Sequence, residues 1–97
     1  MKERVISLLS KEARGYTVSC GPFNIIFATT GAGLIGCGAI DVCALEKFNY
    51  PAVKMQKESG IKTIDDLLEA DVVLVNSCAK ECGVTEGMNG NEALEKL

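Results

Sequence analysis

A thiol and a carboxylate four positions apart, Cys37 and Asp41, form the most chemically suggestive pair in this sequence. They lie in Cys37-Gly38-Ala39-Ile40-Asp41, where a strand pattern gives way to a helix pattern. Backbone N–H groups and the helix dipole favour anions at such a junction, and a helix start lowers the pKa of a thiol. Cys37 is therefore a candidate nucleophile, with Asp41 as part of its electrostatic setting. The ordinary account is that Cys37 is a small core residue and Asp41 an N-cap, and it carries more weight. A second cluster is the glycine-rich loop from Gly83 to Gly90, which opens onto a capped helix. Exposed amides at Gly87, Met88, Asn89 and Gly90 would suit a small anion, although turn chemistry explains the same residues equally well.

Two further patterns are weaker. Gly31-Ala32-Gly33-Leu34-Ile35-Gly36 spells G-x-G-x-x-G directly after a strand, the fingerprint of a dinucleotide fold. Its context fails, because Gly36, Gly38 and Asp41 are poor helix-interior residues. The acidic residue expected about 20 positions on is also missing. Cys78 and Cys82 share a face if helical, and with Cys37 and Cys43 would supply four thiolates. No C-x-x-C pair exists and the thiols fall on separate elements, so buried small side chains are the simpler reading. Neither a metal nor a cofactor is expected.

Composition narrows the field. The chain has 97 residues and no histidine, which removes Ser-His-Asp and Cys-His nucleophile systems and His-ligated zinc. Thirteen acids against ten bases give a net charge of −3, with the basic residues scattered among acids, so no nucleic-acid partner is expected. No apolar run approaches the roughly 18 residues of a membrane span, and Met1-Lys2-Glu3-Arg4 does not open a signal peptide. A cytoplasmic protein without membrane contact is expected. Five cysteines, an odd number, argue against a disulfide framework.

The elements that must position these residues are punctuated by glycine. Val5–Leu9 fits helix or strand. Tyr16–Cys20, Phe23–Thr29 and Leu34–Ile40 read as strands, separated by turns at Gly21-Pro22 and Gly31-Ala32-Gly33. Short Gly-containing turns between strands make an antiparallel meander. Beyond it, Asp41 caps a helix over Val42–Phe48, and Ala52–Gln56 reads as a strand. Thr63 caps Ile64–Glu69 with Asp66 in capping-box position. Asp71–Val75 is a strand, and Ser77–Cys82 a helix closed by Gly83. Asn89 caps a last helix with Glu92 at the third position. The fold class is α+β, an N-terminal antiparallel β-meander followed by mixed β/α with short helices, in one domain over 1–97.

Three of these segments carry a resemblance. Gly33-Leu34-Ile35-Gly36-Cys37-Gly38-Ala39-Ile40-Asp41, Gly60-Ile61-Lys62-Thr63-Ile64-Asp65-Asp66-Leu67-Leu68 and Gly87-Met88-Asn89-Gly90-Asn91-Glu92-Ala93-Leu94 are similar to the YunC-like family, grouped as domain of unknown function 1805. The likeness spans most of residues 14–97. It implies no assigned activity and an N-terminal β-region, here 4–40, that mediates tetramer formation. It also implies a strand at Val5–Leu9 and a hairpin rather than a nucleotide loop at the glycine motif. Cys37 is the one thiol on a family motif; Cys20, Cys43, Cys78 and Cys82 depart from the usual pattern.

The apolar content, 47% of a small domain, agrees with an oligomer, since uncovered strand edges invite a second copy. The expected function is therefore a non-catalytic cytoplasmic homo-oligomer, a tetramer joined by its N-terminal strands, with room for a small ligand. The alternative is a thiol-dependent enzyme using Cys37 beside the Asp41 helix start.

Overall fold

In a computed structural model describing residues 1–97, four strands lead the chain and two further strands follow among four short helices. The strands are β1 (Lys2–Ser7), β2 (Glu12–Ser19), β3 (Asn24–Thr29), β4 (Leu34–Gly36), β5 (Ala52–Gln56) and β6 (Asp71–Val75). The helices are α1 (Val42–Glu46), α2 (Ile64–Glu69), α3 (Ser77–Glu81) and α4 (Gly90–Lys96). The strands form one sheet in sequence order, and every neighbouring pair is antiparallel except β4 and β5. The α+β class holds.

Turn chemistry builds the meander. Gly21 and Gly31 each occupy the first central position of a two-residue turn and supply its positive φ, 86° and 92°. The turns close through Cys20 N donating to Phe23 O and Thr30 N to Gly33 O. The G-x-G-x-x-G motif is thus the β3–β4 hairpin. The first strand runs Lys2–Ser7, so the segment expected over Val5–Leu9 ends early, with Leu8 and Leu9 in the turn.

The strand expected over Leu34–Ile40 is only Leu34–Gly36. At Cys37 the chain turns, Ile40 N donating to Cys37 O, and Ile40 folds back over Gly36. A Cβ on Gly36 would stand 2.4 Å from Ile40 Cγ1, so only glycine allows this reversal.

Strand alternation separates two faces. Ile6, Ala13, Ile26, Ala28, Ile35, Val53, Met55 and Val72 face inward to join Ile64, Leu67, Leu94 and Leu97 of the helical half in one buried cluster. Helices α2 and α4 cover that face. On the other face Tyr16 stacks on Phe27 with ring centroids 5.1 Å apart. There α1 packs against β5 and leaves the meander open.

The helix ends follow their caps. Asp41, Thr63, Asn76 and Asn89 each accept the N–H three residues ahead, and Thr63–Asp66 and Asn89–Glu92 complete capping boxes. Helix α1 stops at Glu46 rather than Phe48, since Asn49 enters the left-handed region with φ 55°. Gly83 ends the α3 turn at φ 98°.

Candidate functional site

The parallel pair places the site. After β4 the chain crosses to the open face to make α1; after β5 it crosses to the core face to make α2. Adjacent parallel strands whose connections leave opposite faces open a crevice at their carboxyl ends. A cavity of about 500 Å³ occupies that position here. One wall is Cys37-Gly38-Ala39, following β4, and the other is the end of β5 from Lys54 with Lys57, Gly60 and Ile61 of the loop after it. Phe23 and Asn24, from the start of β3, complete it.

Cys37 is 7% exposed in this wall. Its N–H donates to Ile26 O at 3.0 Å, and its Sγ accepts from Ile26 N at 3.5 Å. The next two amides, of Gly38 and Ala39, donate to no group in the protein. Lys54 sits in register with Gly36 on the neighbouring strand and makes no ion pair. Lys57 differs, for its ammonium contacts Asp66 and Glu69, each at 3.2 Å. Its hydrogen bonds to Glu69 and Asp66 hold its pKa above the ordinary lysine value. Asp66 is held below the ordinary carboxylate value by the Lys62 N–H first and by Lys57 next. Lys57 is thus neutralised by its neighbours, which leaves Lys54 as the uncompensated charge in the crevice.

The structure does not bring the candidate residues together. Asp41 caps α1, its Oδ1 accepting from Ala44 N at 3.0 Å, and lines a different groove with Phe27, Leu34 and Leu45. The Gly87–Gly90 loop uses its amides internally. Gly87 N donates to Val72 O, Met88 N to Thr85 O and Asn89 N to Glu92 Oε1, while Val72 N donates back to Met88 O. Gly90 is buried against the backbone of Leu67 and Leu68. These residues extend the β6 edge and stand outside the crevice.

The cysteines separate as well. All five are free thiols. Cys43 and Cys82 are exposed and Cys78 half-buried, so the buried residue of α3 is Ala79 and not a cysteine stripe. Spacing in a helix fixes that two residues share a face but not which face turns inward.

Sequence reasoning missed Lys54, Asn24 and Phe23. Lys54 carried one signal: a charged residue inside the apolar strand Ala52-Val53-Lys54-Met55. It also missed Asn76, 4% exposed, whose side chain joins four backbone groups.

Comparison with known proteins places this geometry in a family. The chain is 37% identical over 82 residues to the Bacillus subtilis (strain 168) protein described as "Uncharacterized protein YunC", covering 84% of this chain and 81% of that one. Its fold is similar to the crystal structure of TA1206, a protein of unknown function from Thermoplasma acidophilum. That likeness has a TM-score of 0.87 at 25% identity and covers 99% of this chain and 91% of the other. The family described as "Domain of unknown function (DUF1805)" matches residues 36–97, which begin at the last residue of β4 and include both loops of the crevice. The chain belongs to the DUF1805 family, with YunC among its relatives.

Proposed function

We propose that this protein is a cytoplasmic homo-oligomer that binds a small ligand in the crevice at the β4–β5 carboxyl ends. The observation that carries the reading is the crevice itself, formed where the connections part and lined by an unpaired lysine and two unpaired amides. Crystallographic soaking with a library of small fragments tests it. Hits gathered against Cys37-Gly38-Ala39 and Lys54 are expected, and a library whose hits all lie elsewhere would refute it.

The open face of the meander supports the oligomer. Phe27 and Leu34 face Ala44 and Leu45 of α1 across an apolar groove of about 320 Å³. Val5 on edge strand β1 is 49% exposed on the same face. A second copy laid on this face hides apolar surface that one chain leaves in water. Light scattering is expected to give about four times the 10.3 kDa chain mass, and Val5→Glu to lower it. A wild-type monomer at micromolar concentration removes this part of the reading. No helix is long and apolar enough to cross a membrane.

One observation favours a second reading, a thiol-dependent enzyme: Cys37 lines the same crevice, and its sulfur, in a residue only 7% exposed, accepts an N–H hydrogen bond. Asp41 caps α1 and lines another groove. Alkylation of Cys37 followed against pH decides, since the profile of an ordinary thiol rules the nucleophile out.

A further inference from the structure

Resting on the ligand-binding reading above, we propose that the crevice is an oxyanion site, and that its ligand is a small organic carboxylate or phosphate ester with an apolar body. Two features of the crevice agree on the sign of charge. No aspartate or glutamate lines it, although the chain carries thirteen acids and a net charge of −3. Its two charged lining residues are both lysines, and only Lys57 has carboxylate partners. Lys54, half-buried, has no ion-pair partner in the chain.

The amides add directional donors. Gly38 and Ala39 lie in the wall beside Cys37, and neither N–H is used by another acceptor of the protein. Both residues are exposed, so these N–H groups are free to take up a charged acceptor, and charge-assisted hydrogen bonds are roughly twice as strong as neutral ones. The space beside Gly38 is open: a Cβ there would meet nothing within 4 Å. An oxyanion placed there accepts from consecutive amides while the Lys54 ammonium balances its charge.

The rest of the lining fits an apolar body. Phe23 is 56% exposed at the rim, and Ile61 faces it from the loop after β5. Together they give a carbon skeleton something to lie against, so inorganic phosphate alone would use only part of the crevice. Carboxylate and phosphate ester share the oxyanion chemistry on which this rests.

Amide NMR of the full chain titrated with benzoate, phenyl phosphate and the neutral isostere benzamide tests the proposal. Benzoate or phenyl phosphate is expected to shift the Gly38 and Ala39 resonances saturably, and the tighter of the two identifies the headgroup. Affinity should fall about tenfold or more in Lys54→Gln and be largely kept in Lys54→Arg. It should also weaken with added salt, as a partly exposed charge pair does. Lys54→Gln is checked for folding by its own amide spectrum. Benzamide binding as tightly as benzoate, or Lys54→Gln binding like wild type, overturns the oxyanion assignment and leaves a ligand site of other chemistry. If no probe shifts a lining residue at millimolar concentration, both the assignment and the ligand-binding reading fail.

Discussion

Replacing Asn76 with alanine should be the most damaging single polar truncation in this protein. The side chain is buried, and every hydrogen bond that an amide can readily make in one plane is made. Oδ1 accepts from Ala52 N at 3.1 Å and from Ala79 N at 3.0 Å. Nδ2 donates to Val42 O at 3.0 Å and to Tyr50 O at 2.9 Å. One residue thereby ties α1, the start of β5 and α3 together. Loss of an exposed N-cap costs about 1 kcal/mol. Here truncation strips partners from four backbone groups, each costing about 1–3 kcal/mol when left buried and unpaired. Water entering the small space made by the deletion restores part of that. A net loss of about 3–5 kcal/mol results, a large share of the roughly 5–15 kcal/mol that holds a typical domain folded. Urea unfolding followed by circular dichroism, at one fixed protein concentration, measures it. The melting temperature should drop by about 12 °C or more. Thr63→Ala is the comparator, because it removes a cap whose residue is exposed and should cost about 1 kcal/mol. Asn76→Asp adds a second check. It keeps an acceptor for Ala52 and Ala79 but sets an oxygen against the carbonyls of Val42 and Tyr50, and should be about as harmful as alanine at neutral pH. If Asn76→Ala falls no further than Thr63→Ala, the side chain is only a cap and this reasoning is wrong.

Other outcomes follow from the same contacts. Gly90→Ala would bring a Cβ to 2.6 Å from Leu67 O and 2.7 Å from Leu68 Cα, both backbone atoms. A loss of about 1–3 kcal/mol in thermal unfolding is expected, and an unchanged melting temperature would show that α2 and α4 separate freely. Stability should decline in acid. Glu46, bonded by the Ser77 N–H, Asp65 by Arg4, Asp66 by the Lys62 N–H and Glu95 by Ser10 are all held below their ordinary pKa. Such groups bind protons more weakly folded than unfolded, so their contribution is whole above about pH 5 and is lost as pH falls through 4 and lower. Lys57 acts at the other end: its pKa is raised, so its contribution is whole below the ordinary 10.5 and lost as pH climbs past it. Unfolding midpoints that stay level from pH 6 to about 3 would contradict these four carboxylate contacts.

What the sequence made legible was local. Gly21 and Gly31 announced turns because few other residues accept their φ, and Asp41, Thr63 and Asn89 announced helix starts because each cap acts within three residues. The strand drawn through Leu34–Ile40 ran too long for a non-local reason. Its apolar run satisfies a strand, but Ile40 returns over Gly36, and nothing in a linear pattern announces that packing. Lys54 was hidden in the same way. It matters because β5 pairs in parallel with β4, a partnership across an intervening helix that brings Lys54 beside Gly36. Cys37 and Asp41 are neighbours in sequence, yet beyond the turn at residues 37–40 Cys37 lines the crevice and packs in the core cluster while Asp41 lines the other groove.

The glycine motif, stripped of its nucleotide reading, still has a functional consequence. Gly31 closes the hairpin that returns β4 to the sheet beside β3. Gly33 lies where a Cβ would press at 3.0 Å on Pro51, whose carbonyl accepts from Leu34 N as β5 begins. Gly36 admits Ile40 and so permits the tight turn that forms one wall of the crevice. Gly33 and Gly36 thus permit close approaches in the neighbourhood of the parallel pair, Gly31 supplies the positive φ of the turn, and the parallel pair is what parts the two connections. In a dinucleotide fold, glycines of this spacing let a backbone approach a pyrophosphate. Here they let the chain approach itself, and the open space that results lies one residue further on, at Cys37, Gly38 and Ala39.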